Sequence, residues 1–248
     1  MKTKSIVFVA LMGLFLSSCY VKSLHPFYKE NNLYFDKNLI GIWTDKDSSQ
    51  YTVKQIYVSF GEGDQKKEYR NDGYVVSVES KELKSNPPFG SLKKFDVFLF
   101  KLNEQIYADF SQSLFPGFSF DEYDIIRGHS LAKVIISNNE IQFNFFNGEW
   151  LANLIETNKI RISHEFVEYP KPVSLKYKGE YILTASTDDL QKFILKYGND
   201  PKAFDSTPNK LEDGKYQWNA GCMEMTGVMS FGKSKVNNKL ILKRKDDK

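Results

Sequence analysis

The sequence predicts an α+β fold: mainly an antiparallel β-sheet of barrel- or sandwich-like form, with two short helices. Three observations carry that expectation. Short β-prone runs recur along the chain, and turn-forming residues separate several of them at hairpin distances. Two further stretches repeat apolar residues at helical spacing between capping residues.

The first strand is expected at Leu39-Ile40-Gly41-Ile42-Trp43, soon followed by Asp45 and Asp47. The next, Gln50 to Phe60, holds Tyr51, Val53, Ile56, Tyr57, Val58 and Phe60 and stops at the turn Gly61-Glu62-Gly63-Asp64. Asn71-Asp72-Gly73 reads as another turn, after which Tyr74-Val75-Val76-Ser77-Val78 resumes a strand. Asn86-Pro87-Pro88-Phe89-Gly90 marks a loop. Phe95 to Phe100 and Gln105 to Phe110 form a hairpin around Asn103-Glu104, and Leu131 to Ile136 and Ile141 to Phe146 form another around Ser137 to Glu140. Val236 to Lys243 adds a short last strand.

The first helix is expected over Gly148 to Thr157. Asn147 is its N-cap, and Trp150, Leu151, Leu154 and Ile155 form its apolar stripe. The second begins at Ser186 or Thr187, carries Asp188 and Asp189 at the positive end of its dipole, and repeats Leu190, Phe193, Ile194 and Tyr197 before Gly198. Such stripes dock on sheets.

The N-terminus has a separate logic. Lys2 and Lys4 precede the apolar run Ile6 to Leu16, which is too short to span a bilayer and reads as a cleaved export signal. Leu16-Ser17-Ser18-Cys19 resembles the lipobox of bacterial lipoproteins. That resemblance implies cleavage before Cys19, which then carries diacylglycerol and an N-acyl chain of the palmitate type. One acyl chain binds a membrane marginally, whereas several hold firmly. The expected organisation is therefore a lipoprotein signal peptide (1–18), a lipidated tether (19–38) and one globular domain (39–248). A mobile surface stretch is expected near 199–216, where Pro, Asn, Asp, Lys and Gly accumulate. Tyr20-Val21-Lys22-Ser23 contains no acidic residue, which points to the outer membrane, facing the periplasm.

Composition narrows the function. Cleavage removes Lys2 and Lys4, so 34 basic residues become 32 against 31 acidic ones, and the near-balanced charge gives nucleic-acid binding no support. With Cys19 lipidated, Cys222 is the one remaining thiol and reads as a structural cysteine. Nearby Met223, Met225 and Met229 fit no copper spacing. No cofactor beyond the covalent lipid and no metal is expected.

No catalytic motif emerges. His129 in Arg127-Gly128-His129-Ser130 and His164 in Ser163-His164-Glu165 fit no metal-ligand spacing. Asp109, Asp121, Asp124 or Glu165 could orient either imidazole, and Ser130 could act as a nucleophile, but no G-x-S-x-G elbow is present. The chain has 20 Phe, 14 Tyr and 3 Trp, which suits a β-rich core. Leu114 to Phe120, with Phe115 and Phe118, is a ring-rich loop that must fold back or meet a partner. The candidate binding surface therefore comprises Trp43, Phe115, Phe118, His129, Trp150 and His164.

Leu24-His25-Pro26-Phe27-Tyr28, Leu39 to Trp43, His129 to Val134, Gly148 to Leu151 and Leu183 to Phe193 together resemble a family of Bacteroidota-like envelope lipoproteins without an established activity. The resemblance implies location and fold only. Gly41-Ile42-Trp43 also resembles the G-x-W signature of lipocalins, which implies that Trp43 closes a barrel base over an apolar ligand site. The expected function is thus a lipid-anchored envelope module that binds a partner or serves as a structural accessory. The alternatives are a lipocalin-like carrier of a small apolar ligand and an envelope hydrolase.

Overall fold

The computed structural model describes residues 21–46, 48–60, 67–79, 93–113, 127–168, 179–204, 209–210, 216–217 and 239–245. A two-residue strand, β1 (Lys22–Ser23), comes first. It is followed by β2 (Gly41–Thr44), β3 (Gln50–Phe60), β4 (Lys67–Glu79), β5 (Lys93–Leu102), β6 (Gln105–Gln112), β7 (His129–Ile136) and β8 (Glu140–Phe145). Helix α1 (Gly148–Glu156) leads to β9 (His164–Glu168) and β10 (Gly179–Leu183). Helix α2 (Thr187–Tyr197), the single turn α3 (Pro201–Phe204), the ribbon β11 (Asn209–Lys210) and β12 (Tyr216–Gln217), and β13 (Lys239–Arg244) complete the order.

Strands β2 to β8 pair with their sequence neighbours, all antiparallel, and β13 lies between β8 and β2. The result is an eight-stranded closed barrel, the first of the two expected forms. Closure leaves these strands no free edge along the wall. Where β8 ends, β1 takes its place beside β7, with Ser23 opposite His129. β1 then pairs with β10 in parallel, and β10 with β9, so a small sheet extends from the barrel wall.

Two apolar cores lie on opposite sides of that wall. Inside are Trp43, Tyr51, Val53, Tyr74, Val97, Leu99, Phe110, Val134, Phe143, Leu240 and their neighbours. Outside, Phe100, Tyr107 and Leu131 of the same strands meet Leu151 and Ile155 of α1, Leu190, Phe193 and Ile194 of α2, and Phe204 of α3. This two-sided burial is why Phe95 to Leu102 is apolar almost throughout. β8 faces a core on one side only and alternates residue by residue.

Both expected helices form within a residue of their sequence bounds. Asn147 Oδ1 accepts from the Glu149 and Trp150 amides at 3.1 Å each, and Ser186 Oγ accepts from the Asp189 amide at 3.3 Å. Asn158 takes the left-handed conformation (φ 54°) just past α1.

Several expectations need correction. Asn71-Asp72-Gly73 is not a turn but a bulge within β4, opposite a break in register between Gln55 and Tyr57. Glycine favours the close approach there, because a Cβ on Gly73 would sit 2.5 Å from the Phe98 ring and force that ring to shift. A third helix, α3, occupies Pro201–Phe204 inside the stretch expected to be mobile, with Ala203 and Phe204 buried. Residues 21–38, within the stretch 19–38 expected as a tether, pack onto the domain: Val21, Ser23 and Phe27 are buried. Leu39 ends a 3₁₀ turn, Lys37–Leu39, so the first barrel strand starts at Gly41. Cys19, Cys222, the turn at 61–64, the loop at 86–90, and Phe115 and Phe118 lie outside the described residues.

Candidate functional site

Among the described residues, the barrel interior, the barrel base and a clamp on the outer wall each bring polar or aromatic groups together. The interior is lined by apolar and aromatic side chains, among them Tyr51, Tyr74, Phe95, Phe110, Val134 and Phe143, and keeps a cavity of about 40 Å³. Ligand pockets for drug-sized molecules run to roughly 300–1,000 Å³. Side chains therefore fill this barrel, as eight strands allow.

The base is closed by a compact set of contacts. Buried Trp43 donates its indole N–H to the Leu39 carbonyl at 2.9 Å. The Arg244 guanidinium lies 5.3 Å from the Trp43 ring centre. It donates to the carbonyls of Asn38 at 2.9 Å and Ile40 at 3.2 Å, tying the last strand to the 3₁₀ turn ahead of the first. Gly41 sits at φ 144° beneath that guanidinium, where a Cβ would come within 3.3 Å of Nη2. Beside the base, the Tyr74 hydroxyl accepts from the Asp36 amide at 2.7 Å and donates to its carbonyl at 3.1 Å. Burial, the main cause, pushes the Tyr74 phenol up to about 12.

The clamp lies outside the barrel. Asp109 of β6 is fully buried; its Oδ2 accepts from the Phe27 amide at 2.7 Å, and its Oδ1 lies 2.8 Å from His129 Nδ1. Register places His129 between Ser23 and Ser111, directly opposite each, so serine, histidine and aspartate do assemble. The arrangement is nonetheless closed: Ser23 is fully buried, and Ser111 and Asp109 are buried with it. Thr187 Oγ1 donates to the Pro26 carbonyl at 2.8 Å, and buried Gln191 donates to the Phe27 carbonyl at 2.9 Å. Tyr28 stacks on Phe98 at 4.7 Å. Its phenol is pushed up to about 12, chiefly by burial and then by Asp109 and Asp96. The chemistry here is retention of residues 23–28 against the wall, with each buried polar group satisfied by a partner.

The sequence-selected residues thus scatter. Trp43 plugs the base and presents no surface. His129 belongs to the clamp. Trp150 of α1 is half-buried against Phe146, Phe193 and Tyr197, with ring centres 5.8–6.3 Å apart, so it joins the helices to each other. His164 sits at the start of β9, its Nδ1 2.6 Å from the Ile162 carbonyl and its ring edge-on to Tyr181. Among the described residues, no three His, Cys, Asp or Glu side chains form a group that could hold a metal, and no helix is long and apolar enough to cross a membrane. Sequence reasoning raised Asp109 only as one of four possible imidazole partners, took Thr187 only as a possible helix start, and gave Arg244 and Gln191 no role. Comparison with protein-family models, curated proteins and solved structures finds no match to the chain.

Proposed function

We propose that this chain is a lipid-anchored envelope protein that works by presenting a rigid surface to a protein partner. In this reading Cys19 carries the lipid, and the body faces the periplasm from the outer membrane. The observation that carries the reading is the filled interior. A void of about 40 Å³ inside the barrel leaves its outer face as the part available for recognition, including a groove of about 390 Å³ where Lys133, Gln142, Asn144 and Lys239 face the α2–α3 turn. The clamp supports it further, because the chain is packed onto the body from Val21 onward and the anchor would hold that body closely. Crosslinking in intact cells followed by mass spectrometry tests the reading. A defined envelope protein should be captured by the wild-type chain and lost with Cys19→Ser; a chain that captures no envelope protein at any surface position would oppose it.

A second reading, a carrier of a small apolar ligand, draws on the purely apolar lining of the same void. Ligand entry would then require the rings of Phe95, Phe110 and Phe143 to move aside. Organic extraction of the purified protein separates the two readings. A lipid recovered at one per chain, beyond the covalent anchor, favours the carrier, and its absence favours the surface module.

A further inference from the structure

We propose that the outer edge of β9, through Phe166 and Val167, rests in the headgroup region of the leaflet that holds the anchor. The inference rests on the Cys19 anchor proposed above and adds to it an orientation and a contact surface. Val21 is buried, and Lys22 and Ser23 are fixed in β1 between β7 and β10. Two residues of chain span at most about 7 Å, so a lipid on Cys19 would draw Val21 and the body it is packed in close to the leaflet. A body attached so closely must present one face to the lipid.

Register says which face. β1 runs parallel to β10, with Lys22 opposite Ile182 and Ser23 opposite Leu183, so the start of β1 faces the Gly179 end of β10. On that side Tyr181 stands opposite Phe166 and Glu180 opposite Val167. The Lys22 ammonium reaches across to Glu180 Oε1 at 2.8 Å, joining β1 to the same row. Neighbouring strands lie about 4.8 Å apart, which puts the β9 backbone roughly 10 Å from β1.

β9 is the last strand of its sheet, pairing with β10 alone among the described strands. Phe166 and Val167 are 43% and 42% exposed, two adjacent large apolar residues with side chains on opposite faces of the pleat. Uncovered edge strands of this kind invite unwanted pairing, and proteins usually blunt or cover them. Contact with the leaflet would cover this one. Glu165 and Glu168 flank the pair and limit the depth, because ionised carboxylates remain among hydrated headgroups. The contact is thus interfacial.

The test uses the full lipidated chain in vesicles of phosphatidylethanolamine and phosphatidylglycerol. In a Cys222→Ser background, Phe166→Cys, Val167→Cys and Tyr57→Cys each carry an environment-sensitive fluorophore; Tyr57, 56% exposed on β3, reports a surface away from β9. Circular dichroism checks that each variant folds. The expected result is that labels at 166 and 167 are quenched by spin-labelled lipid and shielded severalfold from aqueous iodide, while the label at 57 is not. Labels at 166 and 167 that stay as open to iodide as the one at 57, in protein whose N-terminal peptide carries lipid by mass spectrometry, would overturn the contact and leave the anchor standing. A peptide without lipid on Cys19 would overturn both.

Discussion

Asp109→Ala should loosen the whole N-terminal segment. The carboxylate is fully buried and takes the Phe27 amide at 2.7 Å and His129 Nδ1 at 2.8 Å. Truncation leaves both groups without their acceptor in a largely buried place, His129 being 15% exposed. Hydrogen bonds to charged groups contribute about 1.5–3 kcal/mol, and removing one partner of a buried charged contact costs about 3–5 kcal/mol. We therefore expect a loss of about 3–5 kcal/mol for Asp109→Ala. Asp109→Asn should lose less, about 1–3 kcal/mol, because the carboxamide oxygen still accepts one bond. Urea unfolding of the purified chain is the assay. With a denaturant slope of about 1–3 kcal/mol per molar, the Asp109→Ala midpoint should fall by 1 M or more. Amide exchange at Phe27 should rise by a larger factor than exchange in β8, since the clamp holds the segment locally. A midpoint unchanged within error, with Phe27 still protected, would refute the clamp.

Five further outcomes follow from the geometry. Gly73→Val should cost about 1–3 kcal/mol by overpacking, because even its Cβ meets Phe98 at 2.5 Å and Ile56 at 2.9 Å; an equal midpoint by urea unfolding would contradict the bulge. Trp43→Ala should cost about 3–5 kcal/mol, and Arg244→Met should lower the thermal midpoint more than Arg244→Lys, which keeps a donor for the Asn38 and Ile40 carbonyls. A Val97→Ile change that enters the 40 Å³ void should gain at most about 1 kcal/mol, the amount a void of that size withholds; a larger gain would mean a larger empty interior. The Tyr107 phenol is pushed up to about 12 by burial, so folding favours its neutral form. That stabilisation is complete below pH 10 and is lost as pH climbs from 10 towards 12, and Tyr107→Phe should flatten this part of the stability profile measured by urea unfolding.

Much of the barrel was legible because its signals are local. Ile141, Phe143 and Phe145 alternate along β8, Asn103 supplies the positive φ that turns β5 into β6, and Asn147 and Ser186 cap their helices in place. Other elements depend on partners far along the chain. β1 is two residues long and fills the side of β7 that β8 leaves open after Phe145, opposite the β6 side. His164-Glu165-Phe166-Val167-Glu168 lacks alternation, so β9 is set by pairing with β10. The stretch expected as a tether over residues 19–38 is, from Val21 on, packed against the body. What fixes it are Asp109, Thr187 and Gln191, more than 80 residues distant, and no local pattern reveals them. The same distance hid the site: the Trp43 signature was visible, but Arg244, which completes it, lies four residues from the end of the chain.

Attachment through Cys19 is tested most directly by comparing wild-type and Cys19→Ser chains in cell fractionation, with mass spectrometry of the mature N-terminal peptide. The account predicts a lipid-bearing peptide beginning at residue 19 in outer membranes for the wild type, and loss of both the lipid and that location for Cys19→Ser. A Cys19→Ser chain that is still cut before residue 19 and still found in outer membranes would contradict it.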